Sequence, residues 1–199
     1  MGELSMIDVH GTDTGVGADV VIQVKNTGNV PLILSNPTIR IANESGTVIV
    51  DESGNGIFTG PSYLRVGDIG FIYTSGPLPL PEGYFPGYDY KAQATADLTA
   101  CKEVYEYPIS NLSISDDGRG VPTVSGTVTN DDSETAKLIE VSVMFLDNEG
   151  KMLGVASDVV VNLAPGASQN FTVDGYTLPV SCTMAVISNY DAIAVAPKR

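Results

Sequence analysis

In 199 residues, 24 acidic side chains stand against 10 basic ones, a net charge of −14, with a single histidine and no tryptophan. That balance argues against binding nucleic-acid phosphates or anionic lipid surfaces, because both need a basic patch. No run of about eighteen apolar residues is present to cross a bilayer as a helix, and the start, Met1-Gly-Glu-Leu4, lacks the basic and apolar regions of a signal peptide. Residues 1–104 and 105–199 each hold 12 acidic and 5 basic side chains, so the acidity belongs to both halves and not to a tail. Solubility and self-repulsion are its plain explanation.

Period-two alternation rich in Val, Ile and Thr predicts seven strands in the first half. They are Leu4–Val9, Asp19–Asn26, Asn36–Ala42, Thr47–Asp51, Gly56–Leu64, Ile69–Ser75 and Tyr90–Leu98. The second half gives Asn111–Ser115, Thr123–Asn130, Leu138–Leu146, Met152–Ala156, Val159–Leu163, Gln169–Val173 and Thr183–Tyr190. No segment of helical length shows apolar spacing at three and four. Asn43-Glu-Ser-Gly46 and Asp147-Asn-Glu-Gly150 place Asx first and glycine fourth, the chemistry of a type I turn closing a hairpin.

These elements repeat. Val20-Val-Ile-Gln-Val-Lys-Asn26 matches Val124-Ser-Gly-Thr-Val-Thr-Asn130 at an offset of 104. Leu64-Arg-Val-Gly67 matches Leu163-Ala-Pro-Gly166 once the offset shortens to 99 or 100, which sets Phe71 opposite Phe171. The expected architecture is therefore all-β: two tandem immunoglobulin-like antiparallel β-sandwiches, residues 1–104 and 105–199, joined near Lys102–Glu106 without a flexible linker.

The second half resembles the FxLYD family of bacterial immunoglobulin-like domains. The likeness is carried by Val124-Ser-Gly-Thr-Val-Thr-Asn130, by Phe145-Leu-Asp-Asn-Glu-Gly150, and by Leu163-Ala-Pro-Gly166 followed by Phe171. The first half resembles a diverged copy, with Arg65-Val66 where the family pattern has a proline. The resemblance implies a secreted or lipid-anchored bacterial protein without enzymatic activity, whose export signal has been removed. It assigns no functional residue.

Chemistry-bearing residues are sparse. His10 lies in His10-Gly-Thr-Asp-Thr-Gly15, read as a solvent-facing loop, and any Ser-His-Asp or Cys-His arrangement would have to use it. No nucleophile elbow, P-loop or zinc spacing accompanies it, so no catalytic residue, cofactor or metal site is assigned. Asp116-Asp117, Asp131-Asp132-Ser-Glu134 and Asp147-Asn-Glu149 supply loop carboxylates of the kind calcium takes, yet none fits a twelve-residue calcium loop. Two readings of Cys101 and Cys182 stand: a disulfide, if the first and last strands of the second sandwich run parallel side by side, or two separate thiols. The segment 77–90 gathers four prolines with Tyr84, Phe85, Tyr88 and Tyr90, rigid rings suited to contacting a protein or a sugar face, or to covering a sandwich edge.

The expected function is that of a non-enzymatic cell-surface or extracellular pair of domains acting as spacer and interaction unit. Its partner would be a protein or cell-envelope component. The alternatives are a carbohydrate-binding accessory domain using Tyr84, Phe85, Tyr88 and Tyr90, and a subunit of a hydrolase.

Overall fold

The computed structural model describes residues 2–13, 18–54, 56–75, 78–79, 91–116, 118–175, 178 and 182–198, with backbone alone at 4–13 and 18. Fifteen strands and no helix run through them. Among the described residues, then, no helix is long and apolar enough to cross a membrane.

The first half contains β1 (Leu4–Asp13), β2 (Ala18–Asn26), β3 (Leu32–Ala42), β4 (Val48–Ser53), β5 (Ile57–Gly60), β6 (Tyr63–Leu64), β7 (Ile69–Thr74) and β8 (Lys91–Ala100). One sheet has the order β1-β2-β7-β5; the other has β4-β3-β6, with β8 pairing β3 on its far side. The second half contains β9 (Glu103–Glu106), β10 (Ile109–Asp116), β11 (Pro122–Thr129), β12 (Ala136–Leu146), β13 (Met152–Leu163), β14 (Ser168–Asp174) and β15 (Asn189–Lys198). Its sheets are β10-β11-β14 and β13-β12-β15-β9. Every pairing is antiparallel.

Each half has its own core, built from both of its sheets. Val20, Ile22, Val24 and Ile72 meet Leu32, Ile39 and Ile41 in the first. Val124, Val128, Phe171 and Val173 meet Ile139, Val141, Val143, Phe145 and Ala194 in the second. Burying each such Val, Leu, Ile or Phe stabilises by about 1.5–3 kcal/mol, and alternation along the strands aims them at one face.

The hairpin turns form as their residues dictate. Gly46 and Gly150, at φ of 83° and 78°, donate back to the carbonyls of Asn43 and Asp147. The Asx side chains then accept from Thr47 N at 2.9 Å and Lys151 N at 2.8 Å. A left-handed backbone at the fourth position is why glycine stands there.

Four expectations are corrected. The strands read as Met152–Ala156 and Val159–Leu163 are one, β13, which pairs with β12 along its whole length. The reverse holds for Gly56–Leu64, where β5 crosses to pair β7 and β6 returns to β3. The last strand is Asn189–Lys198 and not Thr183–Tyr190; a turn occupies 184–186. Its core-facing residues include Ala194 and Ala196, small side chains with weak strand preference that conceal the signal. Finally, β9 occupies the supposed join and adds to β15, so the strands of the second half begin at Glu103, ahead of the expected first strand Asn111–Ser115.

The repeat's Asn26 and Asn130 are buried and hold equivalent positions just inside or beyond β2 and β11. Asn130 Nδ2 donates to Glu134 O and Leu163 O, both at 2.8 Å, while its Oδ1 accepts from Asp132 N at 3.0 Å. Asn26 Nδ2 donates to Val30 O at 2.9 Å, Arg65 O at 3.1 Å and Leu64 O at 3.3 Å, and its Oδ1 accepts from Gly28 N at 3.1 Å. Gly67 N and Gly166 N complete each corner by donating to the asparagine's own carbonyl. The two pieces that the halves share, Val-x-x-x-Val-x-Asn and Leu-x-x-Gly, thus meet in space.

Candidate functional site

The odd-numbered residues of β12, from Ile139 to Phe145, face the second core. Its even-numbered residues face the other way, and there the first half packs against them. Val21 from β2 with Phe71 and Tyr73 from β7 meets Met152 and Val155 from β13, flanked by Met144 and Leu146. A sheet buried on both faces needs apolar residues in succession, and Val143-Met-Phe-Leu146 supplies them.

Register decides which aromatic goes there. Ile22 pairs with Ile72, whereas Gly126, its repeat counterpart, pairs with Phe171. Phe171 therefore corresponds to Ile72, and Phe71 corresponds to Asn170; the expected match of Phe71 with Phe171 is off by one. A one-residue slip turns a strand's side chains to the opposite face. So Phe171 fills a core while Phe71 fills the junction.

The faces that do not meet are polar. Where the first half has Val21, Phe71 and Tyr73, the second has Ser125, Asn170 and Thr172, with Ser125 Oγ and Thr172 Oγ1 hydrogen-bonded at 3.2 Å. Where the second half pairs Met144 with Val155, the first pairs Arg40 with Asp51 in a half-exposed ion pair at 2.6 Å. The contact is heterologous, and each half keeps its unused face hydrophilic, which stops the stacking at two.

Beyond the apolar layer lies a polar clamp. Glu140 is 7% exposed; its Oε2 accepts from Ser62 N at 2.9 Å, and its Oε1 accepts from Ser62 Oγ and Ser142 Oγ, each at 3.4 Å. Ser142 Oγ and Ser157 Oγ are 2.9 Å apart, and Ser157 in turn bonds the Tyr73 hydroxyl. Gly60 fits here because a Cβ would come within 2.8 Å of Ser157 Oγ. Burial pushes the Tyr73 phenol up to about 12. Burial also raises the Glu140 carboxyl above its ordinary value, against the three donors that lower it. An outer ion pair, Arg65 to Glu106 at 2.7 Å, also joins the halves; it is half exposed and adds under about 1 kcal/mol.

A raised carboxyl means that the folded state holds its proton more tightly than the unfolded one. Its burial penalty is absent below the ordinary 4.5 and fully present above the folded value, so stability from this group rises as pH falls through that window. Glu140→Gln keeps an acceptor for Ser62 N and loses the charge. We expect this variant to match or exceed the wild type at pH 7 and to lack part of its pH slope between pH 7 and 4.5, read by urea denaturation at each pH. An unchanged slope would mean that Glu140 does not titrate in this window.

Clefts flank the clamp. One of about 430 Å³ is walled by Ser62, Tyr63, Leu138, Glu140, Asp158 and Val159; another of about 350 Å³ shares Tyr63 and Leu138 and reaches Tyr107 and Lys198. Leu138, Val159 and Val161 stand exposed along the same face of β12 and β13. Lys198 sits over the Tyr105 ring at 4.3 Å and pairs with Asp132 at 3.1 Å, which holds that carboxyl below its usual range.

The residues singled out in the sequence are not brought together here. Tyr84, Phe85, Tyr88 and Tyr90 lie outside the described residues. His10 is not in a loop: its backbone is in β1, opposite Val21. The register shift between Met6 and Asp8 lies inside the expected strand Leu4–Val9, and β1 runs on to Asp13 through His10-Gly-Thr-Asp13, whose residue types read as a loop. Cys101 and Cys182 are free thiols. The strands invoked to join them do not run parallel side by side: β10 pairs β11 in one sheet, while β15 lies in the other with β9 antiparallel beside it, and Cys182 is packed in the second core, where burial pushes its thiol up to about 12. Cys101 donates its backbone N–H to Pro31 O beside β3. Two of the loop carboxylates serve their own turns: Asp116 Oδ1 accepts from Gly118 N at 2.6 Å and Gly120 N at 2.9 Å, and Asp147 Oδ1 accepts from Glu149 N at 2.8 Å. Asp131 accepts from the Tyr105 hydroxyl at 3.1 Å, and Asp117 lies outside the described residues. Among the described residues no three His, Cys, Asp or Glu side chains gather as a metal site would need. Glu140 escaped sequence reading; the available signal was a lone acid inside the apolar run Leu138–Leu146.

No protein-family model matches the chain, and neither does any curated protein. Among solved structures it is similar to a β-glucuronidase from glycoside hydrolase family 2, at 9% identity and a TM-score of 0.25, over 95% of this chain and 21% of that one. The chain spans about a fifth of that enzyme's length, and a superposition so loose decides neither fold family nor activity.

Proposed function

We propose that the chain is a pair of immunoglobulin-like sandwiches, residues 1–104 and 105–199, of the FxLYD kind, working outside the cell as a rigid, non-catalytic spacer and interaction unit. The observation that carries this reading is the apolar layer between the halves, with Val21, Phe71 and Tyr73 against Met152 and Val155. A spacer must hold its two ends at a set distance, and a buried contact closed by the Glu140 clamp does so where a bare linker would not. The extracellular setting rests on the resemblance carried by Phe145-Leu-Asp-Asn-Glu-Gly150 and Leu163-Ala-Pro-Gly166. The partner is a protein or cell-envelope component, met on the exposed face beside Leu138 and Val159.

Spin labels at the two hairpin tips test the rigidity. With Cys101→Ser and Cys182→Ala as background, Glu44→Cys and Glu149→Cys should give a single narrow distance distribution by pulsed electron resonance. A broad distribution, as from two beads on a string, rules the spacer out.

A further inference from the structure

We propose that the outer edge of β8 is a dimerisation edge, on which β8 of a second copy pairs antiparallel about Ala94 and so places Lys91 opposite the partner's Asp97 twice over. The repeat within the chain identifies the edge. Phe145 pairs with Tyr190 where Ile41 pairs with Ala92, so β8 and β15 are counterparts. On β15 the outer edge is taken: β9 adds to it antiparallel, from Val195 opposite Glu106 to Lys198 opposite Glu103. On β8, paired to β3 on its inner side, no strand among the described residues covers the outer one.

The end of this edge beside Ala100 is approached by Gly2, which lies against Leu32, the residue Ala100 pairs with. Residues 91–97 contain no proline or glycine to blunt the edge, and the register shift opposite Thr95–Asp97 places its extra residue in β3, between Ser35 and Thr38.

Charge chooses the register. Lys91 and Asp97 are both exposed and both on the outward face, six residues apart. An antiparallel self-pairing centred on Ala94 sets each against the other in the partner, with Gln93 against the partner's Thr95 and Ala92 against the partner's Ala96. Asp97 Oδ2 already accepts from Asn36 Nδ2 at 2.8 Å, which orients the carboxylate and leaves Oδ1 for the lysine. The symmetry is closed and two-fold, so pairing stops at a dimer. A contact this small belongs to the weak class, with a Kd on the order of 10–100 µM.

Sedimentation velocity on the full chain, from about 5 to about 500 µM at physiological salt, reads the equilibrium. The wild type should pass from monomer to dimer. Lys91→Asp, which opposes two acids at both ends, should weaken the dimer about 10-fold, and so should Asp97→Lys. Combining the two swaps restores opposite charges and should recover most of the affinity, which a mere surface change would not do. Thermal melts check that each variant folds. A wild type that stays monomeric throughout overturns the proposal, even if an added extended peptide takes the edge instead. A double variant no better than either single one overturns it as well.

Discussion

Replacing Asn130 with alanine is expected to destabilise the second half by about 3 kcal/mol, in urea denaturation followed by circular dichroism. The side chain is fully buried and makes three hydrogen bonds, two to the carbonyls of Glu134 and Leu163 and one from Asp132 N. Each severed bond leaves a poorly solvated backbone group without its partner, at about 1 kcal/mol apiece, and a small void adds to the loss. Asn130→Asp should be worse, because it keeps the acceptor while setting a carboxylate against two carbonyl oxygens. Asn26→Ala should act on the first half by a similar amount. Exposed Asn170→Ala, which loses only its bond with Thr127, is the control and should stay within about 0.5 kcal/mol. A buried-asparagine variant as stable as that control would mean these bonds are replaced by water.

Phe71→Ala should loosen the junction at a cost of about 3 kcal/mol and uncouple the halves. Phe71 is 1% exposed, and its neighbours in the cluster include Met152 and Val155 of the other half. With the ring gone, the two halves keep their own cores, since neither core cluster includes Phe71. A wild type that unfolds in one transition should then show two, resolved by hydrogen exchange over peptides from each half. Phe171→Ala, which empties a core instead, should lower the second half without separating the transitions. If Phe71→Ala behaves in that same way, the junction does not couple folding. The same variant should broaden the distance distribution between labels at positions 44 and 149.

Sequence reading located local features well where the residues that make them are neighbours in the chain. The alternation of Val20, Ile22 and Val24, and of Val124 and Val128, places β2 and β11 because side chains on a strand alternate whatever the strand pairs with. Asn43–Gly46 and Asp147–Gly150 form their turns because the bonds close within five residues. Failures fell where the deciding contact is distant. β9 is four residues whose strand character comes from β15, about ninety positions away, and the alanines of β15 earn their places only against the second core.

The candidate site was the least legible part. Phe71 and Phe171 look equivalent in a linear alignment, yet a one-residue difference in register sends one to the junction and the other to a core. Glu140 reads as an interruption in an apolar strand until Ser62, 78 residues earlier in the chain, donates its N–H.

From the chain alone came the all-β class, the internal repeat, the hairpin turns and the acidity of both halves, since each follows from short-range alternation, turn chemistry or composition. Only the tertiary structure decided which face of β7 carries Phe71, why Asn26 and Asn130 recur, and that the halves meet face to face through Val21, Tyr73, Met152 and Val155. Those outcomes depend on which strands pair and in what register, and pairing energies arise between residues that the linear order keeps apart.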